Sequence, residues 1–244
     1  MKLKFLTAFF SAILLPFFVY SVGPYKAGDQ LTVHAVSGLV LRETASPSGK
    51  KIRTLEYGTT VTVLADGLKK TPHSVELTKG YSIKGYWVKV RSGEGKEGFV
   101  FDGYLSRYKI PASLPNDLDP NDPEGIMTLP ERYLVLNSPR KGGKVDLQKY
   151  ETTYQHFKQA YANGDEVEVN TGEGGSEYSI RFHKPVTVEE AYLIGKELWF
   201  GMSDMSSKTS LRKGNLVLNS EDGLMEAEVA LKDGFVYLFL RRAD

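Results

Sequence analysis

Short runs of strand-forming residues, separated by turns at close spacing, fill the stretch from Leu31 to Leu105. Leu39 and Leu41 fall on one face by the two-residue period of a strand. Pro47 fixes its own φ angle and Gly49 accepts a positive one, which predicts a turn directly after that strand. About five short strands with such turns predict a small, partly open barrel. The predicted strands are Leu31–Val36, Leu39–Leu41, Thr59–Leu64, Trp87–Val90 and Gly98–Val100.

The arrangement of these segments resembles the bacterial SH3-like (SH3b) family over residues 28–108. The resemblance rests on residues 39–43, 52–64, 85–90 and 98–105 and on the turns between them. It implies an SH3-like barrel that binds a partner rather than catalysing a reaction. It also implies cell-wall peptide (peptidoglycan) or another envelope protein as that partner.

The segment between Leu64 and Tyr86 is longer than the short loop that is typical of the family. Within it Val75, Leu77 and Ile83 alternate with polar residues, which indicates an extended hairpin or a flap over the binding face. A long loop in a compact domain is usually functional or mobile. A decoration without a binding role is the other interpretation.

Aromatic side chains supply the contacts of many binding modules. Trp87 and Phe99 lie in predicted strands among apolar neighbours, which favours burial in the core. Other aromatic residues lie beside turns or in the long segment, where exposure is as reasonable as burial. The candidate ligand-binding residues are Tyr57, Tyr81, Phe101 and Tyr104.

The N-terminal residues have the form of a secretory signal. Lys2 and Lys4 precede the apolar segment Phe5–Tyr20, which is shorter than the roughly 18 to 20 residues of a membrane-spanning helix. We therefore expect a signal peptide at residues 1–21, removed after Ser21, and a periplasmic or extracellular protein with no remaining membrane segment. An uncleaved N-terminal anchor is the alternative, and it also exports the body of the protein.

The composition removes several classes of function. The chain contains no cysteine, which excludes structural disulfides and the cysteine peptidases that often carry SH3-like modules. The formal net charge is +1 and the charges are interspersed, so no attraction to nucleic acid or to anionic lipid is expected.

Prolines and acidic residues are dense between Pro111 and Pro123, where they prevent both a helix and a strand ladder. This composition predicts a linker at residues 111–125, between an SH3-like domain at 25–110 and a second domain at 126–244. The carboxylates Asp117, Asp119 and Asp122 lack the glycine and the terminal glutamate of an EF-hand loop, so no metal site is predicted there.

The second half mixes helical and strand patterns, which predicts an α+β domain of antiparallel strands with about two helices. Apolar residues at helical intervals from Leu147 to Tyr161 predict one helix, and a capping box of Thr187 and Glu190 begins another that ends near Gly201. Arg140–Lys144 and Met202–Ser210 are predicted loops. The predicted strands are Tyr133–Leu136, Glu166–Val169, Tyr178–Phe182, Asn215–Leu218, Leu224–Leu231 and Phe235–Leu240.

No constellation in the sequence requires an enzyme. None of the four histidines, His34, His73, His156 and His183, lies at metal-ligand spacing from another. Ser-x-x-Lys motifs begin at Ser48, Ser138 and Ser210, but the Ser-Asp-Asn and Lys-Thr-Gly motifs of penicillin-binding enzymes are missing. We therefore predict no catalytic residue, metal or cofactor.

The sequence thus favours an exported, non-enzymatic binding protein of the cell envelope. The alternative is an envelope hydrolase with its active site in the second half. A deep cleft that brings His156 or His183 to a carboxylate would favour the hydrolase.

Overall fold

The computed structural model describes residues 22, 24–64, 71–110, 128–148, 154–183, 186–201 and 207–243. The predicted signal peptide and the predicted linker lie outside the described residues. Within the described ranges, no helix has the length and apolar character needed to cross a bilayer.

The first half forms one eight-stranded antiparallel sheet. Its strands are β1 (Gln30–Val33), β2 (Leu39–Arg42), β3 (Lys51–Leu55), β4 (Thr60–Val63), β5 (Thr71–Thr78), β6 (Tyr81–Ser92), β7 (Glu97–Phe101) and β8 (Leu105–Ser106). They are ordered β3-β2-β7-β6-β4-β1-β8, and β5 pairs with β6. Alternate residues such as Leu31, Leu41, Val61 and Val100 are fully buried in a common core, as the two-residue period predicts.

The long segment after β4 is an extended hairpin, which confirms one of the two interpretations of its alternating pattern. β5 and the first half of β6 pair from Thr71 opposite Trp87 to Thr78 opposite Tyr81. Gly80 occupies the turn with a φ of +85°, which a residue without Cβ adopts at little cost. The second half of β6 continues into the barrel, where it pairs with β4 and β7.

The second half forms another eight-stranded antiparallel sheet, made of two four-stranded meanders that join where β12 pairs with β16. The order is β13-β14-β15-β16-β12-β11-β10-β9. The strands are β9 (Arg140–Gln148), β10 (Gln155–Tyr161), β11 (Glu166–Gly172), β12 (Gly175–Phe182), β13 (Ser207–Arg212), β14 (Asn215–Ser220), β15 (Met225–Lys232) and β16 (Phe235–Ala243).

Two short helices pack against the second sheet. Helix α1 (Leu129–Asn137) and helix α2 (Val188–Lys196) both begin with a capping box, and α2 continues into a π-helical turn at Glu197–Gly201. Helix α2 lies across β15 and β16. Gly195 permits a close approach, because a Cβ there would lie 2.6 Å from Leu238 Cδ1.

Several predicted elements of the second half are wrong. Tyr133–Leu136 lies in α1 rather than in a strand, and Arg140–Lys144 begins β9 rather than forming a loop. The predicted helix from Leu147 to Tyr161 is replaced by parts of β9 and β10. The predicted loop at Met202–Ser210 gives way to β13 from Ser207. The second half is therefore a mainly β domain, and the α+β prediction holds only for its antiparallel strands and two helices.

Strand β9 lies at the end of the second sheet, and β10 is its one pairing partner among the described strands. Two register shifts interrupt that pairing. Val145 and Leu147 on β9 are 61% and 43% exposed. The strand also carries the cations Lys141 and Lys144.

The core of the second half extends into residues of the first. Tyr108, which follows β8, is buried in that core beside Tyr133 and Phe182. The half-buried side chains of Leu77, Tyr81 and Tyr104 pack against the same core. The two sheets are therefore docked, with apolar side chains between them.

Candidate functional site

A cavity of about 560 Å³ lies where the first sheet meets helix α2. Most of its wall comes from the first sheet: the β1–β2 loop, the β5–β6 hairpin and the turn after β7. The remaining wall comes from α2 through Tyr192, Leu193 and Lys196. Its size lies within the usual range for small-molecule and peptide pockets.

Aromatic rings form one continuous side of the cavity. Trp87 and Phe101 are register partners on β6 and β7, and His73 on β5 lies against both rings at centroid distances of 5.3 and 5.0 Å. Tyr104 meets Phe101 edge to face at 5.7 Å. Gly103 allows this packing, because a Cβ on it would lie 2.4 Å from the Phe101 ring. Neighbouring strands therefore assemble an aromatic surface from distant parts of the sequence.

The β1–β2 loop forms the opposite rim. Gly38 has a φ of +81°, and a Cβ there would lie 2.5 Å from a Thr54 side-chain atom and 2.9 Å from the Leu55 carbonyl oxygen. The backbone N–H of Gly38 donates to the carbonyl oxygen of Ala35 at 2.9 Å. This tight turn leaves Val36 53% exposed at the cavity.

The charged residues that line the cavity are both cations, Arg42 and Lys196. Arg42 donates from Nη1 to the carbonyl oxygen of Gly49 at 2.7 Å, and this hydrogen bond holds one side of its guanidinium group. Lys196 forms no ion pair with any residue in the described part of the chain. The cavity thus carries positive charge that its own lining does not neutralise.

His34 lies at the inner end of the cavity and is only 1% exposed. Its Nε2 lies 3.0 Å from the carbonyl oxygen of Tyr108, to which it donates, and its Nδ1 has no hydrogen-bond partner among the described residues. Burial lowers the pKa of His34 to about 4 against the opposing effect of that hydrogen bond. The imidazole is therefore neutral near pH 7.

Hydrogen bonds hold α2 against the first sheet. The Tyr81 hydroxyl donates to Oε1 of Glu189 at 2.7 Å, and the Tyr57 hydroxyl is hydrogen-bonded to Glu197. Burial is the main cause that raises the pKa of Tyr81 and the pKa of Tyr57. Thr78 Oγ1 donates to the carbonyl oxygen of Thr209 at 3.1 Å. These contacts keep one wall of the cavity in place.

The four candidate ligand-binding residues fall into two groups. Phe101 and Tyr104 line the cavity, and Phe101 is almost completely buried. Tyr81 and Tyr57 instead form hydrogen bonds with the carboxylates of Glu189 in α2 and Glu197 just after it. Trp87 is 5% exposed, which confirms its predicted place in the core, although one part of it reaches the cavity.

Sequence reasoning missed the contribution of α2 and of the two cations. The capping box predicted α2 itself, but no local pattern indicates that its outer face meets a module more than a hundred positions away. Arg42 lies within residues 39–43, which carry the family resemblance but contain no pattern that marks a binding residue. Lys196 lies in the last turn of α2, where cations are common because of the helix dipole, so its place in the sequence does not indicate a binding role.

Neither of the two histidines named for the hydrolase alternative lines the cavity described above. His156 Nε2 is 2.9 Å from Glu168 Oε1, and Lys158 Nζ contacts the same carboxylate at 3.2 Å, in a charge cluster between neighbouring strands. His183 packs its ring beside Gly164, and its backbone N–H donates to Asp165. Among the residues described, no group of three or more His, Cys, Asp or Glu side chains is arranged to hold a metal.

Comparisons with curated proteins and with solved structures gave no match. A comparison with protein-family models gave a match over residues 37–106, which contain β2 to β8 together with the aromatic side of the cavity. Members of the matching family are commonly cell-wall binding modules. Residues 37–106 of this chain are thus a bacterial SH3 domain.

Proposed function

We propose that this protein is an exported, non-enzymatic binding protein of the cell envelope that holds cell-wall peptide in the cavity beside its SH3 domain. The family match supports this role, because bacterial SH3 domains often bind peptidoglycan. The concave, partly open shape and the volume of about 560 Å³ favour a short peptide over the broad, flat surface of a folded envelope protein.

The observation that carries the proposal is the aromatic side of the cavity. Trp87, Phe101 and Tyr104 line the cavity, and Trp87 and Phe101 are also buried with Ile83 in a small core cluster that holds them in place. Aromatic side chains supply large contact area with little loss of conformational entropy. A peptide chain of small residues would pack along such a surface.

Co-sedimentation with purified peptidoglycan sacculi tests the proposal. We expect the wild-type chain without residues 1–21 to sediment with sacculi, and the variant Val36→Glu to lose most of this binding. Val36 is exposed at the cavity rim, so the substitution places a charge against the ligand without removing core packing. Leu231→Glu is the matched control, because Leu231 is 66% exposed on the second sheet. A wild-type protein that remains in the supernatant would contradict the proposal.

Export rests on the sequence of the first residues, where two lysines precede an apolar segment. N-terminal sequencing of protein recovered from the exported fraction should give a first residue of Val22. Recovery of a chain that starts at Met1 would instead indicate a retained anchor.

A further inference from the structure

The cavity combines an apolar wall with two cations, and none of the described residues that line it is acidic. Arg42 comes from β2 of the SH3 domain, and Lys196 comes from the last turn of α2. Glu197, the residue after Lys196, is hydrogen-bonded to Tyr57 and does not line the cavity. His34 is neutral near pH 7, and these two side chains supply the lysine and arginine charge of the lining.

Cations without an acidic neighbour in the described lining favour an anionic ligand group. Glu197 interacts electrostatically with Lys196, but its carboxylate is hydrogen-bonded to Tyr57 and does not line the cavity. A hydrogen bond between a cation and a carboxylate is about twice as strong as one between neutral groups. Peptides supply such a group at the C-terminus and at acidic side chains, whereas the sugar rings of a glycan are neutral unless substituted. The lining therefore discriminates among the parts of a cell-wall polymer.

The second half of the chain completes the site. Tyr192, Leu193 and Lys196 form the wall that faces the SH3 domain, and Tyr192 is anchored by a 2.8 Å hydrogen bond between its hydroxyl and Thr209 Oγ1. The bond from Tyr81 to Glu189 fixes the same helix to the β5–β6 hairpin. An SH3 domain without α2 would lack one of the two cations and one side of the cavity.

We propose that the cavity binds a short peptide through a carboxylate held by Arg42 and Lys196, so that the SH3 domain and helix α2 form one composite binding site. This inference rests on the proposed function, which supplies cell-wall peptide as the ligand. It adds the chemical group that is recognised and assigns a binding role to the second half of the chain.

Titration calorimetry on the full mature chain tests the inference with two probes. The first is soluble muropeptides released from sacculi, and the second is the same muropeptides after their carboxylates have been converted to amides. We expect amidation to weaken binding to the wild-type protein about tenfold or more, as the loss of a hydrogen bond to a charged group does. Binding that changes less than twofold on amidation would overturn the carboxylate assignment.

Lys196→Gln tests the contribution of α2. We expect this variant to bind native muropeptides about tenfold more weakly than wild type does. We also expect amidation to weaken its binding much less, because the effects of removing both partners of one contact are not additive. Lys232→Gln, at the exposed last residue of β15 in the second sheet, should bind like wild type. A Lys196→Gln variant with unchanged affinity and an unchanged response to amidation would overturn the composite site.

Arg42→Gln tests the contribution of the SH3 domain to the site. The melting temperature of this variant is measured in parallel, because Arg42 also donates a hydrogen bond to Gly49. We expect the same loss of affinity and of the response to amidation. If this variant unfolds, Lys196→Gln still decides the inference.

The two proposals can fail separately. If sacculi bind the wild-type protein but amidation has no effect, the proposed function stands and the inference is refuted. If sacculi do not bind the wild-type protein, the proposed function itself is refuted.

Discussion

The hydroxyl of Tyr108 donates a 2.7 Å hydrogen bond to Oδ2 of Asp165. Tyr108 follows the last strand of the SH3 domain, and Asp165 lies in the turn between β10 and β11 of the second sheet. Asp165 is only 1% exposed and also accepts from Asn163 Nδ2 and from the backbone N–H of His183. A buried carboxylate of the second half is thus partly satisfied by the first half, which ties the two sheets into one folded unit.

Tyr108→Phe should lower the free energy of unfolding by about 1 to 2 kcal/mol, because it removes a hydrogen bond from a buried carboxylate and leaves the ring in place. Urea denaturation followed by fluorescence measures the change. The control is Tyr237→Phe on the outer face of β16, where the described part of the chain offers its hydroxyl no hydrogen bond. Equal stability of the two variants would show that the Tyr108 hydroxyl makes no net contribution.

Limited proteolysis should cut first between Pro111 and Glu124, because proline and acidic residues there predict a linker. We expect the two fragments to elute together from a sizing column, since Tyr57, Tyr81 and Tyr108 all bond across to the second half. Fragments that separate at micromolar concentration would show that the docking is weak. A first cut within residues 130–240 would show that the boundary is misplaced.

Trp87→Ala should destabilise the protein by roughly 3 to 5 kcal/mol, the usual cost of removing a buried large aromatic side chain. Trp87 packs with Ile83 and Phe101 in a small core cluster. Thermal melts of the full chain measure the loss, with the exposed Val36→Ala as the control. A Trp87→Ala protein that melts like wild type would remove Trp87 from the core and leave it as a ligand contact alone.

Stability should fall as the pH decreases from 6.5 towards 4 because of His34. Its pKa is about 4 in the folded protein and 6.5 in the unfolded chain, so in this window the unfolded chain takes up a proton that the folded chain does not. Proton uptake by the unfolded state favours unfolding, so the free energy of unfolding falls, and its loss approaches about 3 kcal/mol near pH 4.

Urea midpoints of wild type and His34→Gln, measured between pH 7 and pH 4, isolate this contribution from that of the carboxylates. The difference between the two curves should shrink or reverse as the pH falls, because glutamine does not titrate. Parallel curves over the whole range would mean that His34 titrates normally in the folded protein.

One pentapeptide shows why local sequence did not determine the second half. Leu-Val-Leu-Asn-Ser occurs at residues 134–138, where it ends helix α1, and again at 216–220, where it belongs to β14. The helix begins upstream, at a capping box of Thr128 and Glu131 with a proline in the first turn. The second copy is paired on both sides, with β13 and β15. Context outside the five residues decides between the two structures.

The wrong helix in the second half has a related cause. Phe157 and Tyr161 are four positions apart, which suits one face of a helix and equally one face of a strand. In β10 both side chains point into the core, and Gln159 between them is buried on the same face. Because a polar residue occupies an inward-facing position, the alternation of apolar and polar residues that marks a strand is missing from the sequence.

The barrel and half of the site were predictable, because strand period, turn residues and aromatic residues are local signals. Trp87 and Phe101 reach the cavity through their own strands. Lys196 reaches it only because two sheets dock, and that docking depends on buried pairs such as Tyr81 with Glu189, which are far apart in sequence. Contacts of this kind leave no periodic trace in a single sequence.

The irregular pairing of β9 has a consequence for how the protein behaves at high concentration. An edge strand offers free N–H and C=O groups to any other chain, and its exposed Val145 and Leu147 add apolar surface. Register shifts of this kind make a strand harder to extend with another chain, and the positive charge of Lys141 disfavours pairing with a second copy of the same edge. Removing the charge of Lys141 should therefore make the protein more prone to ordered aggregation, with light scattering as the measure. Lys144 is left unchanged in this test, because it also forms a 3.1 Å ion pair with the buried Glu131.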